Sequence, residues 1–398
     1  MSIPSDGEHT MTEQISRRKA IQGGAALVGL AALGVPQWML PALAEGGEVV
    51  PWTDVPANFN PNPPTGSRTL DTRTIRESSF ITPTEEFFAV QHYEQAQVDP
   101  ATYKLRVTGL VNKPIELSLD ELKRRRRIEQ IIGFECSGNN PARLNTLVGN
   151  ARWAGTSLSA LLREAGLKPT AREVVFFAAD KGTEEIVHGG PPQKYEQTFG
   201  RSLAVEDATK PEILIAWEMN GGPLPVSHGA PVRLIVPGWY GVANVKWLNH
   251  VHAQDTRFMG RFMARDYVTM TEKKIGDQTI WDETSVSRIR LKSMIASITR
   301  NGDKYTATGF VLGDGTPLRS VEVRVDNGQW QPASMDRANT QYSWKLFTYE
   351  CTGLGPGDHS IVSRATDANG TVQPEEADLQ SKKTRWENNA QFVRKFKV

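Results

Sequence analysis

Near Trp281 the chain changes texture, and that switch limits the fold more than any other feature. Upstream, short strands and short helices alternate without a regular βαβ rhythm. Tyr103-Lys104-Leu105-Arg106-Val107 alternates like a strand and turns at Gly109, and Ser118 caps a short helix with acids in its first turn. Leu158 to Ala165 reads as a helix ended by Gly166, and Thr84 is read as a helix cap near the start of the globular part. Val174–Ala178, Ile213–Trp217 and Val232–Val236 read as buried strands, the last closed by Pro237-Gly238. That mixture predicts an α+β domain. Downstream, Ser297–Thr299, Tyr305–Phe310, Val321–Val325, Tyr342–Leu346 and His359–Ala365 are strands at short intervals, with a tight hairpin turn at Asp326-Asn327-Gly328. This second texture predicts an all-β sandwich of roughly a hundred residues. It carries no titratable cluster, so it is expected to serve structure or assembly, with Cys351 a packing residue.

The N-terminus reads as an address. Ser16-Arg17-Arg18-Lys19 holds an arginine pair ahead of a mildly apolar stretch, Gly23 to Leu40, that several glycines and Pro36 make unfit to span a membrane. Ala42-Leu43-Ala44 offers small residues for cleavage, so residues 1–44 are expected to be a twin-arginine export signal leading to the periplasm. Ala20 and Ile21 stand where Phe and Leu are commoner in such signals. Residues 45–79, rich in Pro, Asn and Thr, read as an extended arm or linker; 80–280 is the α+β domain and 281–398 the sandwich. With 46 basic and 45 acidic residues, the charge shows no nucleic-acid or membrane-surface footprint. Two cysteines exclude a disulfide scaffold and an iron–sulfur cluster, and no Cys-x-x-Cys-His motif is present to attach haem.

One of those cysteines has an unusual setting. The β-leaning Glu129-Gln130-Ile131-Ile132, emerging from the basic run Lys123–Arg127, delivers Gly133-Phe134-Glu135-Cys136-Ser137-Gly138-Asn139-Asn140. A strand thus carries Cys136 into a small-residue turn, where it is either a buried small hydrophobe or a thiolate for chemistry or a soft metal. Further on, Ser227-His228-Gly229-Ala230-Pro231-Val232-Arg233 sets a His and an Arg around a turn, where both could face a bound anion. Asn244-Val245-Lys246-Trp247 adds a lysine at the edge of an apolar segment. Each alone reads first as a structural turn; together they describe one soft ligand and several phosphate-type donors.

These motifs resemble the sulfite oxidase family of molybdopterin enzymes. Cys136-Ser137-Gly138-Asn139 matches the family's Cys-(Ser/Ala)-Gly-Asn turn. Glu218-Met219-Asn220-Gly221, Leu224-Pro225, His228-Gly229, Pro231-Val232-Arg233, Pro237-Gly238, Gly241 and Val245-Lys246-Trp247-Leu248 follow in the family's order, and Arg265-Asp266-Tyr267 matches its active-site tyrosine segment. The resemblance covers about Phe80 to the C-terminus and implies that the sandwich is an immunoglobulin-like dimerisation domain. It further implies Mo-molybdopterin, with Cys136 the thiolate ligand of molybdenum. His228, Arg233, Asn244, Val245 and Lys246 would hold the pterin and its phosphate, Phe88 through His92 (including Gln91) a second pterin-contacting segment, and Asp180 a further contact. Tyr267, with His92, would act beside the metal as hydrogen-bonding and proton-relay residues. The implied reaction is oxidation of sulfite to sulfate by oxygen-atom transfer, with electrons leaving to a separate c-type cytochrome.

One departure bears on substrate. The family's sulfite oxidisers carry Phe-Phe-x-Arg-x-His, whereas Phe87-Phe88-Ala89-Val90-Gln91-His92 places valine at the arginine position. Losing a partly buried guanidinium forfeits about 2–3 kcal/mol of charge-assisted anion binding. Asn140 also stands where a second basic residue is common, leaving Arg143, Lys194 or Arg201 as compensating candidates. The other readings are a sulfane-sulfur dehydrogenase, a reductase of S- or N-oxides, and a non-catalytic subunit that keeps the fold.

Overall fold

The computed structural model describes residues 37–40, 43, 47–56, 59–61, 69–186 and 190–398. The arginine pair and most of the apolar stretch after it lie outside the described residues, so the export signal stands as a sequence expectation.

Two five-stranded sheets build the first part of the chain. In one, the spatial order is Ile115–Ser118, Lys104–Gly109, Leu248–Gln254, Glu173–Ile186 and Gln193–Ala204. Lys104–Gly109 and Leu248–Gln254 run parallel, and the other neighbours are antiparallel. The other sheet orders Arg233–Ile235, Leu214–Met219, Val148–Ser157 and Ile128–Glu135, with Gly222–Pro223 paired to the second of these. Helices are short because each spans a gap between strands. Ser118 starts Leu119–Lys123 with a capping box, its hydroxyl accepting from Glu121 N–H while Glu121 accepts from Ser118 N–H. Leu158–Ala165 buries Leu158, Leu161 and Leu162 and stops at left-handed Gly166. Thr84 caps no helix: residues 84–86 form a turn, whose shape comes from Glu86 N–H bonding Pro83 O. The Thr84 hydroxyl instead accepts from Asn220 Nδ2.

The second part is the expected sandwich. A five-stranded sheet (Glu48–Val49, Lys292–Asn301, Lys304–Leu312, Lys345–Thr352, Ser334–Met335) packs on a four-stranded one (Gln331–Pro332, Leu318–Val325, Asp358–Asp367, Arg394–Lys397). Ile295, Ile298, Val321, Val323, Phe347, Ile361 and Phe396 fill the space between them. Glu48–Val49 pairs with Lys292–Asn301 at the edge of the sandwich, with Trp52 buried, while Thr72–Thr74 forms a short 3-10 helix. Asp326 adopts a left-handed φ of 51° and Gly328 N–H bonds Val325 O, forming the tight turn at those residues.

The sandwich meets the cysteine sheet closely. Gly133 N–H bonds Tyr342 O, and a Cβ on Gly133 would lie 2.6 Å from Trp344 N, so only glycine allows the approach. Trp344 N–H donates to Asn150 Oδ1 and its indole to Phe80 O, while Met294, Phe310 and Trp344 share one core with the first sheet. Chain geometry therefore lets sandwich residues reach the cysteine turn.

Candidate active site

Cys136 leaves the strand Ile128–Glu135 where its two faces are already buried, and the turn that follows is held from several sides. Cys136 N–H bonds Leu147 O at 3.0 Å, Asn139 N–H bonds Cys136 O, and Asn139 Oδ1 accepts from Leu147 N–H. The thiol is half-buried and faces a cavity of about 700 Å³, its mouth included. Burial pushes its pKa up, opposed by the Gly138 N–H and by the charges of Arg385 and Lys292. A cationic metal bound at the sulfur would reverse that balance, since a thiolate is the form that coordinates.

Phe88, Gln91, His92, Cys136, Asp180, His228, Arg233, Asn244, Val245, Lys246 and Tyr267 all line this one cavity, although they come from both sheets and five segments between strands. Their geometry divides them into two groups. Lys246 is a cation at the wall: Nζ donates to Ser227 O at 3.1 Å, contacts Gln91 Oε1 at 3.5 Å and stands 4.4 Å from the Trp247 ring centre. Burial and then Arg233 lower its pKa to about 7, with Asp180 acting in the opposite direction. Asp180 is raised to about 6 by burial, and its buried Oδ1 has no hydrogen-bond partner.

Arg233 and Asn244, in contrast, also bond the backbone around the cavity. Arg233 lies over Trp153 and Phe134 and gives Nη1–H to His228 O and Nη2–H to Asn244 O, leaving only buried Nε without a partner. Asn244 Oδ1 accepts from Val236 N–H and its Nδ2 donates to Tyr240 O. The two Arg233 bonds use one N–H of each terminal nitrogen, and the side chain still lines the cavity. Arg233 ties together the backbone carrying His228 and Asn244, satisfying two buried carbonyls. His228 is 2% exposed, with Nε2 3.2 Å from Thr84 O and its ring edge-on to Phe87.

Also lining the cavity, His92 Nε2 and the Tyr267 hydroxyl lie 2.7 Å apart. Burial lowers His92 to about 4, so its imidazole is neutral near pH 7, and burial raises Tyr267, so its phenol keeps its proton. The pair is packed by Phe199 and Phe262. Val90 lines the cavity without a charge. None of the three proposed substitutes takes the arginine's place. Arg201 is buried with Nη1 and Nη2 donating to Phe262 O and Val286 O, and neither Arg143 nor Lys194 lines the cavity. Asn140 spends its Oδ1 on Ala142 N–H.

The sandwich contributes residues that no local sequence signal marked. Trp386 stacks on Tyr267 and abuts the cysteine turn, since a Cβ on Gly138 would lie 3.1 Å from its ring. Glu387 N–H bonds Ser137 O at 2.7 Å, and exposed Arg385 acts electrostatically on both Cys136 and Tyr267. The sandwich, expected to serve structure or assembly, also borders the site, because close packing at Gly133 brings its last loop to the cysteine.

The residues fit a molybdopterin. A single soft sulfur faces an aromatic and polar cavity, with buried cation Lys246 and His228 placed for a phosphate and the orphaned Asp180 oxygen able to accept an N–H from a pterin ring. The profile of the oxidoreductase molybdopterin binding domain matches residues 92–262. Human mitochondrial sulfite oxidase is 30% identical over 347 residues, covering 80% of this chain and 60% of that protein. Sulfite oxidase of Arabidopsis thaliana is 27% identical over 365 residues, covering 80% of this chain and 87% of its own. The chain thus spans 60% of the length of the human relative. The sulfane dehydrogenase SoxCD from Paracoccus pantotrophus shares the fold, with a TM-score of 0.71, 22% identity, and coverage of 86% of this chain and 90% of that one. Motif order, cavity chemistry and these likenesses agree in pointing to the sulfite oxidase family of molybdopterin-dependent oxidoreductases.

Proposed function

We propose that this protein is a periplasmic molybdenum enzyme that oxidises sulfite to sulfate and passes the electrons to a separate c-type cytochrome. The observation that carries the reading is the convergence of Cys136 Sγ, the His92–Tyr267 pair and the Lys246–His228 wall on one cavity. Molybdenum held by Cys136 and a pterin dithiolene supplies the two-electron, oxygen-transfer chemistry. The chain supplies the surroundings. Lys246 and His228 hold the anionic tail of the cofactor, and Asp180 meets its ring. A neutral His92 and a protonated Tyr267 share a proton across 2.7 Å, so the pair can take up or release one beside the reacting anion. Phe88, Phe199 and Phe262 exclude water around them. Export as a folded, cofactor-loaded protein fits the arginine pair at Arg17 and Arg18. Pairing of two copies through the sandwich belongs to the same proposal.

A second reading rests on Val90. Without a guanidinium at that wall, a neutral or bulkier sulfur substrate is favoured over a small dianion, and the structural neighbour SoxCD is a sulfane dehydrogenase. Elemental analysis of the exported protein, followed by steady-state sulfite oxidation with cytochrome c or ferricyanide, separates the cases. Absence of molybdenum ends the enzyme proposal; molybdenum without turnover at millimolar sulfite transfers it to the second substrate class.

A further inference from the structure

Behind the cavity, the carboxylate of Glu135 and the ammonium of Lys292 form an ion pair whose side chains are 0% and 2% exposed. Glu135 immediately precedes Cys136, and its Oε1 also accepts from Asn139 Nδ2 at 3.0 Å, on the far side of the turn. One carboxylate therefore spans the residues on either side of the sulfur. Lys292 opens the first long strand of the sandwich and gives a further hydrogen bond to Asn388 O at 2.8 Å. The second carboxylate oxygen, Oε2, is buried with no hydrogen-bond partner.

Stability is a weak explanation for such a pair. Desolvation of two interior charges consumes most of their attraction, and apolar replacements of similar volume are often neutral or better. A charge one residue from a metal ligand has another consequence: in a low-dielectric interior it acts on the ligand atom almost unscreened. The negative charge of Glu135 raises electron density at the sulfur, and Lys292, on the other side of the carboxylate, draws it back. Of the two, Glu135 acts more strongly on the Cys136 thiol.

We propose that the Glu135–Lys292 pair is a positioning device for Cys136 that fixes the cysteine turn and sets the electron density its sulfur gives to the bound metal. It thereby sets the potential at which the site releases electrons. This rests on the molybdenum reading above. Because the two charges come from the cysteine strand and the sandwich, the sandwich takes part in tuning the metal as well as in covering it.

The test is a spectroelectrochemical titration of the bound cofactor, with molybdenum content measured on the same samples of holoenzyme. Glu135→Gln removes the nearer negative charge and is expected to shift the midpoint potential upward. Lys292→Met removes the positive charge and is expected to shift it downward. Glu135→Gln/Lys292→Met leaves no unpaired buried charge, so it folds even where a single change does not. Its potential is expected above wild type by less than that of Glu135→Gln alone. Glu135→Asp keeps the charge and is expected to stay near wild type. A purely structural pair would lower metal content or stability without shifts of opposite sign. Molybdenum-loaded variants, the double one included, sitting at the wild-type potential would overturn the proposal. A wild type that carries no molybdenum would overturn the parent reading, and this proposal with it.

Discussion

The indole of Trp386 lies on the phenol of Tyr267, ring centres 4.4 Å apart and planes 24° from parallel. Tyr267 has a left-handed φ of 59°, an uncommon state for a side chain of that size. Three contacts hold it there: the indole, His92 at its hydroxyl, and Val286 N–H at its carbonyl. Stacked aromatic pairs contribute about 0.5–1.5 kcal/mol beyond area. Trp386→Ala is therefore expected to lower kcat/KM by about tenfold while molybdenum content stays at the wild-type level. Trp386→Phe should keep most of the rate. Steady-state kinetics with metal analysis on each variant checks both.

Cys136→Ser leaves the turn's backbone hydrogen bonds in place and exchanges only the atom facing the cavity. Turnover is expected to disappear, with the unfolding midpoint within a few degrees of wild type. Full activity in this variant would refute the ligand assignment.

Val90→Arg restores a guanidinium to the cavity wall. Charge-assisted hydrogen bonds contribute about 1.5–3 kcal/mol, so the KM for sulfite should fall roughly ten- to a hundredfold. An unchanged KM shows that the substrate is not held at that wall.

Lys246 gives a pH signature in the cofactor-free protein. Its folded pKa, about 7, is below the ordinary 10.5, so between those values the unfolded chain binds the extra proton. The sign follows: this group makes stability rise as pH increases from about 7 toward 10, and its cost is largest below 7. Lys246→Met should flatten that part of the Tm–pH curve. Binding of inorganic phosphate at the same wall runs the other way, weakening as pH rises through 7. Thermal melts from pH 6 to 10, with and without phosphate, read both slopes.

Trp153 is fully buried, stacked 5.2 Å from Phe134 with Arg233 above it. Trp153→Ala removes the support under Phe134 and Arg233, which line the cavity, and is expected to cost about 3–5 kcal/mol of stability, read from denaturant midpoints.

Local pattern made much of this fold legible. The serine cap at Ser118, the glycine stop at Gly166 and the alternation of Val321–Val325 each depend on residues within one turn or strand, and each forms where the sequence places it. The cavity-lining residues were legible for a different reason, since motif order carried them. Less visible was what a side chain does once folded. Arg233 looks like an anion fork in sequence, yet it also binds the carbonyls of His228 and Asn244, and nothing local reveals that. Trp386, Arg385 and Lys292 were missed because their relation to Cys136 exists only after the sandwich docks at Gly133. Thr84 misled because a threonine before two glutamates suits a helix start and a turn equally well.

The bond from Glu387 N–H to Ser137 O has a consequence for how the protein is made. Synthesis runs from the N-terminus, so the cysteine turn leaves the ribosome long before the segment that closes over it. Until that final stretch emerges and the sandwich closes, Cys136 is open on the side that Trp386 later covers. Completion of the cavity around Cys136 is therefore a post-translational event, and a chain cut short before residue 384 would keep every cavity-lining side chain yet lack the wall that seals the sulfur.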